Sequence, residues 1–237
     1  MNKNMNASGF SLVEMAIVLA IVALLLAGLL PTITSQMEQQ RRNETRKQLE
    51  EIRAALVGFA ASQPLPRLPC PADPTKATGS NGAGLELCSI APVSNTITGV
   101  VPWVTLGTSE TDAWGRRFTY SIASSVAGGA FGTSFTLSST GTINVLSIST
   151  GNCTTNTNCI ASNMPTVIIS HGVNGSGAYL PQGGAPLPAS TDLDELDNSN
   201  GGPTFVSHDQ TPTFDDLVVW LSPNTLFNRM VAAGKLP

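Results

Sequence analysis

One long apolar run dominates the start of this chain and restricts what the chain can become. It covers residues 10–30 and carries a single charge, Glu14. As a helix, about 21 residues are enough to cross a hydrocarbon layer of about 30 Å. The polar stretch before it is short and holds one basic residue, Lys3. A secretory signal has a shorter apolar core, with its small-residue cleavage site after that core. Here the small residue, Gly9, stands before the core. Cleavage at Gly9 removes only the polar leader and leaves the apolar helix on the mature protein.

The carboxylate inside the run needs a reason. An acid at the centre of a bilayer costs about 2.5–3.5 kcal/mol, and less near the interface. Glu14 lies about one turn into the helix, and two readings stand side by side. In one it reaches the headgroups as a tolerated interfacial acid. In the other it pairs with a cation from a neighbouring subunit, the α-amino group that cleavage creates on Phe10. A low dielectric strengthens such a pair and lets it fix the register of a staggered stack.

The motif Gly9-Phe10-Ser11-Leu12-Val13-Glu14, followed by an apolar helix, resembles the class III signal of type IV pilins and type II secretion pseudopilins. The resemblance implies that a prepilin peptidase cuts between Gly9 and Phe10 and N-methylates Phe10. It also implies that Glu14 serves assembly. Gly28 and Pro31 form a weak point in the helix, because proline removes a backbone donor and clashes with the preceding turn.

Beyond the run, residues 36–62 are rich in helix formers and free of proline. Leu49, Ile52, Leu56 and Phe59 recur at helical spacing, which predicts one apolar stripe for packing on a globular head. Pro64 and Pro66 end that helix. Strand signals follow at 134–138, 143–149, 166–170 and 217–221. The stretch 101–107 reads as a surface strand or turn. At the tail, Ser222, Pro223 and an apolar face of Leu226, Phe227, Met230 and Val231 predict a helix that Gly234 ends. The resulting fold class is α+β: a long N-terminal helix packed on an antiparallel sheet, as in type IV pilins. The expected organisation is a leader at 1–9, a transmembrane helix at 10–30, its amphipathic continuation at 31–62 and a β-rich head at 63–237.

Three shorter stretches add to the resemblance. Asp112-Ala113-Trp114-Gly115-Arg116-Arg117-Phe118-Thr119-Tyr120 is similar to a segment of major pseudopilins that leads into the first strand of their sheet. Arg67-Leu68-Pro69-Cys70-Pro71-Ala72 and Phe214-Asp215-Asp216-Leu217-Val218-Val219-Trp220 resemble a longer prepilin-like group. The chain is longer than compact major pseudopilins, which points to a minor or atypical subunit.

Charge narrows the choice of partners. The net charge is −4, and no Lys or Arg lies between Arg117 and Arg229. A nucleic-acid groove in that half is not expected, because phosphate binding needs basic residues. Four cysteines occur as two sequence-local pairs, Cys70/Cys88 and Cys153/Cys159. Local disulfides are favoured over zinc, since neither spacing is Cys-x-x-Cys and no His is adjacent. Disulfides imply an oxidising compartment for the head.

The acidic segment 191–202, with Asp215 and Asp216 beyond it, offers hard oxygen donors of the kind calcium takes. Its spacing is not that of an EF-hand, and a solvated acidic loop is the competing reading. Calcium binds the corresponding region of major pseudopilins, so the resemblance implies a site, with Asp192, Asp194, Asp197 and Asp215 as ligands. The two histidines, His171 and His208, have no nucleophile elbow to serve, since Gly175-Ser176-Gly177 lacks its strand–turn–helix context. Val173-Asn174-Gly175-Ser176-Gly177 is no phosphate loop, because no Lys follows it. No enzyme is expected. Trp103, Trp114 and Trp220 read as core residues, with a sugar-stacking platform as the other possibility.

The function expected is that of a prepilin-like structural subunit. It starts as a single-pass inner-membrane protein with its head in the periplasm. It is then processed by prepilin peptidase and joined to other subunits through its helix, in a pilus or a type II secretion pseudopilus. The alternative is a minor tip subunit or adhesin whose loops bind a surface or a secreted substrate.

Overall fold

A computed structural model of the chain describes residues 11–127 and 134–236, with the side chains of 26–33 also outside the described set. The cleavage pair Gly9 and Phe10 therefore lies outside the described residues. The chain divides into two compact units, Met1–Arg42 and Asn43–Pro237.

Helix α1 covers Leu12–Ser62. Its backbone stays helical through Gly28 and Pro31, whose side chains lie outside the described residues. Within the second unit, α1 buries Leu49, Ile52, Leu56 and Ala60 completely. Ala60 takes the place expected for Phe59, which is half-buried beneath the Arg67 guanidinium at 4.9 Å. The helix ends where the proline-rich segment begins, and Lys235 Nζ donates to the Gln63 carbonyl there at 2.9 Å.

The head holds two sheets. Strands β1 (Thr96–Val100), β2 (Thr119–Ala123), β5 (Thr166–Ser170) and β7 (Leu217–Leu221) form an antiparallel sheet in the order β1-β2-β5-β7. Alternation splits its side chains between two cores. Tyr120, Ile122 and Ile168 join the α1 stripe, with Leu226 and Met230 of α4 (Pro223–Ala232). Val167 and Ile169 turn the other way, onto Ile143, Val145 and Phe205 of the second sheet. Because β5 is covered on both faces, it reads as a continuous apolar run rather than an alternating one.

The second sheet runs β4 (Cys159–Met164), β3 (Ile143–Leu146), β6 (Thr204–Val206). Its β3–β6 pair is parallel, so the head is not purely antiparallel as expected. A parallel pair needs a long crossover. The chain supplies one by passing through β4, β5 and α3 (Leu193–Ser199) before β6.

Other expectations also shift. Residues 134–138 form no strand; the Thr136 and Ser139 backbones and the Ser139 hydroxyl close a turn instead. The strand expected at 143–149 stops at Leu146. The 101–107 stretch contains a one-turn helix, α2 (Trp103–Leu106), ended by Gly107 in the left-handed region at φ 68°. Gly84 also has positive φ, and a Cβ there would strike the Trp103 ring. Trp103 is buried as expected; its ring lies 4.6 Å from the guanidinium carbon of the fully buried Arg117. The strands at 166–170 and 217–221 and the tail helix stand where the sequence predicts them. Both disulfides, Cys70–Cys88 and Cys153–Cys159, join the local pairs.

Candidate functional site

Two places carry chemistry, and the two units hold one each. In the first unit, Ser11 precedes the first turn of α1. Its hydroxyl accepts from Glu14 N at 3.2 Å, and the Glu14 carboxylate accepts from Ser11 N at 2.8 Å. This is a capping box, which satisfies two backbone donors that a helix start leaves orphaned. The Ser-x-x-Glu spacing of this box stands in the sequence itself, at the head of the apolar run.

Around that start the helix is apolar on every side. Leu12, Met15, Ile17, Val18, Leu19, Ile21, Val22, Leu24 and Leu25 are all exposed. A helix that is hydrophobic all round needs lipid or other helices against it. Among the described residues, no helix is long and apolar enough to cross a membrane.

In the second unit, the acidic segment is a helix and not a loop. Asp192 caps α3 by accepting from Asp194 N at 2.9 Å, and Asp194 and Glu195 fall in the first turn. Carboxylates there complement the positive end of the helix dipole. The helix period then separates the acids. Glu195 and Asn198, three apart, face inward and are 1% exposed each.

The four aspartates expected as calcium ligands do not come together. Asp192 is used as the cap, and hydrogen bonding from Thr213 holds its carboxyl below the usual range. Asp194 accepts from Ser149 N at 2.7 Å and faces His208 Nε2 at 3.2 Å. Asp197 accepts from Asn200 Nδ2 at 3.0 Å; burial and the Asp194 charge push its carboxyl up.

Asp215 stands elsewhere, with Glu195 and Asp216. One carboxylate oxygen from each of these three lies within 4.8 Å of the others. All three residues are buried, at 1%, 7% and 5% exposure for Glu195, Asp215 and Asp216. Each uses one oxygen structurally. Glu195 Oε1 accepts from Asn174 Nδ2 at 2.7 Å and from Asp215 N at 3.0 Å. Asp215 Oδ2 accepts from the Val173 and Asn174 amides at 2.8 and 2.9 Å. Asp216 Oδ2 accepts from Asn198 Nδ2 at 2.8 Å. The other oxygen of each, Glu195 Oε2, Asp215 Oδ1 and Asp216 Oδ1, has no hydrogen-bond partner.

Burial pushes the Asp215 carboxyl up, and the charges of Glu195 and Asp216 add to that against its two backbone donors. Gly172 makes the close approach possible. It sits at φ +52°, and a Cβ there would collide with Asp215. The loop is also tied by Arg116, which donates to the Gly172 carbonyl and, at 2.7 Å, to the Val173 carbonyl.

Residues 4–30 match the family model described as the prokaryotic N-terminal methylation motif. The match supports a prepilin signal of the type IV pilin and pseudopilin kind, the signal of structural subunits that go to the membrane and the pilus. No curated protein and no solved structure matches the chain.

Proposed function

We propose that this chain is a prepilin-like structural subunit. Prepilin peptidase removes residues 1–9 and methylates Phe10. The helix of residues 10–30 then holds the protein in the inner membrane until it stacks with the helices of other subunits. The assembly is a pilus or a type II secretion pseudopilus. The match of residues 4–30 to the methylation motif carries this reading. Two features support it further: a helix start with exposed apolar residues on every side, and two disulfides, which belong to an oxidising compartment outside the cytoplasm.

The experiment is mass spectrometry of the mature N-terminus in cells that have prepilin peptidase. The expected chain begins with N-methylated Phe10, and a bulky Gly9→Leu variant stays full length. A mature chain that begins at any other residue overturns the reading.

A divalent cation in the head is a second proposal. The resemblance suggests calcium, and the buried trio of Glu195, Asp215 and Asp216 favours a site. Three carboxylates this close repel one another strongly in a poorly solvated interior, and a cation relieves that repulsion. Among the four ligands expected from sequence, only Asp215 belongs to the trio.

A further inference from the structure

His171 stands beside the carboxylate trio with one ring nitrogen engaged and the other not. It is 1% exposed. Nε2 lies 2.8 Å from Thr119 Oγ1. Nδ1 has no hydrogen-bond partner, and it lies 3.7 Å from Asp216 Oδ1, which has none either. Two unpaired polar atoms, both buried, thus face each other beyond hydrogen-bonding distance.

We infer that Glu195, Asp215, Asp216 and His171 form one site for a divalent metal ion that accepts nitrogen as well as oxygen, such as manganese or zinc. The inference rests on the cation reading above and changes the class of ion.

Three observations carry it. A metal-bound imidazole almost always donates its other N–H to a fixed partner, which sets the tautomer. Thr119 Oγ1 is such a partner, and an Nε2–H bond to it leaves the Nδ1 lone pair free on the side of Asp216 Oδ1. The 3.7 Å between Nδ1 and Asp216 Oδ1 is also close to a ligand-to-ligand edge. Bonds of about 2.0–2.2 Å to a tetrahedral ion put neighbouring donors about 3.4 Å apart. Third, each carboxylate already has its second oxygen fixed by amide donors from Asn174, Asn198 or the backbone. One carboxylate oxygen of each lies within 4.8 Å of the others, so the trio can share an ion. Imidazole with carboxylates suits manganese or zinc, whereas calcium takes oxygen alone.

The test uses the full-length chain in detergent, stripped with chelator and dialysed against Mn2+, Zn2+ or Ca2+ alone. The expected result is one tightly bound Mn2+ or Zn2+ per chain. Electron spin-echo spectroscopy of the Mn2+ form shows coupling to an imidazole nitrogen, a readout that needs no variant. Thr119→Val, which frees the ring, lowers affinity about 10–100-fold. Mn2+ binding without nitrogen coupling, or binding of any of the three ions with equal affinity in His171→Gln, leaves an all-oxygen site. In that case the cation reading survives and this inference fails. If no ion binds at one per chain, or if Asp216→Asn binds as the wild type does, both fail.

Discussion

Ser11 and Glu14 hold each other in a reciprocal pair of hydrogen bonds, at 2.8 and 3.2 Å, across the first turn of α1. Glu14 therefore has work to do before any neighbour arrives. Pairing with the α-amino group of another subunit's Phe10 has to share the carboxylate with Ser11 N or take it away. The two roles separate by mutation, because glutamine also completes a capping box whereas alanine does not.

We predict that Glu14→Gln keeps the cap and is cleaved at Gly9 but incorporates poorly into filaments, as Glu14→Ala does. Ser11→Ala weakens the cap, keeps the charge and still incorporates. Immunoblots of sheared filaments against membranes measure this. If Glu14→Gln assembles as well as wild type, the carboxylate serves the cap and not the pairing.

Arg117 organises the proline-rich loop of the head. Its side chain is fully buried, and it donates twice to Glu110 Oε1, at 2.9 and 2.8 Å. Further bonds reach the carbonyls of Pro74, Lys76 and Pro181 and the Thr78 hydroxyl. One guanidinium thus ties the proline-rich loop to the segment after Tyr179. Removing one partner of a buried pair costs about 3–5 kcal/mol. Arg117→Met should lower the unfolding free energy, measured by denaturant titration, by that order. Arg117→Lys should recover only part of it, because a lysine cannot fill the fork of contacts. Loss below about 1 kcal/mol in Arg117→Met would show the network to be dispensable.

How far the fold could be read ahead depended on the kind of signal. Strands β5 and β7 and helix α4 announce themselves through β-branched runs and a Ser-Pro helix start, so residues 166–170, 217–221 and 223–232 were legible. Strand β6 is three residues long, and β4 is half exposed and rich in small polar residues; both exist by pairing with β3. Local pattern does not encode pairing between distant segments. The acid site failed for another reason. Asp192, Asp194 and Asp197 are neighbours in sequence only, because 193–199 is a helix. The helix period instead turns Glu195 toward Asp215, and the turn after β5 brings His171 from the strand end.

Glu86 gives the head an acid-sensitive contact. Its two oxygens take a forked pair of bonds from Arg67, both at 2.8 Å, and Oε2 also accepts from Cys70 N at 3.2 Å. Burial alone would raise its carboxyl, but the Arg67 hydrogen bonds, the Cys70 amide and the Arg67 charge outweigh it and hold the carboxyl low. The folded state therefore binds fewer protons here than the unfolded chain in the acid range. The stabilisation is complete above the ordinary glutamate range and fades as pH falls through the lowered folded value. Melting temperatures of wild type and Glu86→Gln should differ at pH 7 and converge toward pH 3. A gap that stays constant with pH would remove Glu86 from the account.

The two disulfides should contribute unequally. Cys70–Cys88 closes a loop of sequence separation 18, and Cys153–Cys159 one of 6. In the chain-entropy model these are worth about 3 and about 2 kcal/mol. Packing widens the difference. Cys70 is fully buried in the main core, next to the segment where Tyr120 Oη donates to the Pro69 carbonyl at 3.0 Å. Cys153 and Cys159 are half-buried, and Cys159 opens β4 on the edge of the second sheet. Replacing Cys70 and Cys88 by alanine should lower the melting temperature more than the same change at Cys153 and Cys159. It should also loosen the Arg67–Glu86 fork, seen as a smaller pH dependence. Equal losses from the two double variants, with the pH dependence unchanged, would mean that the proline-rich loop holds its shape without the bridge.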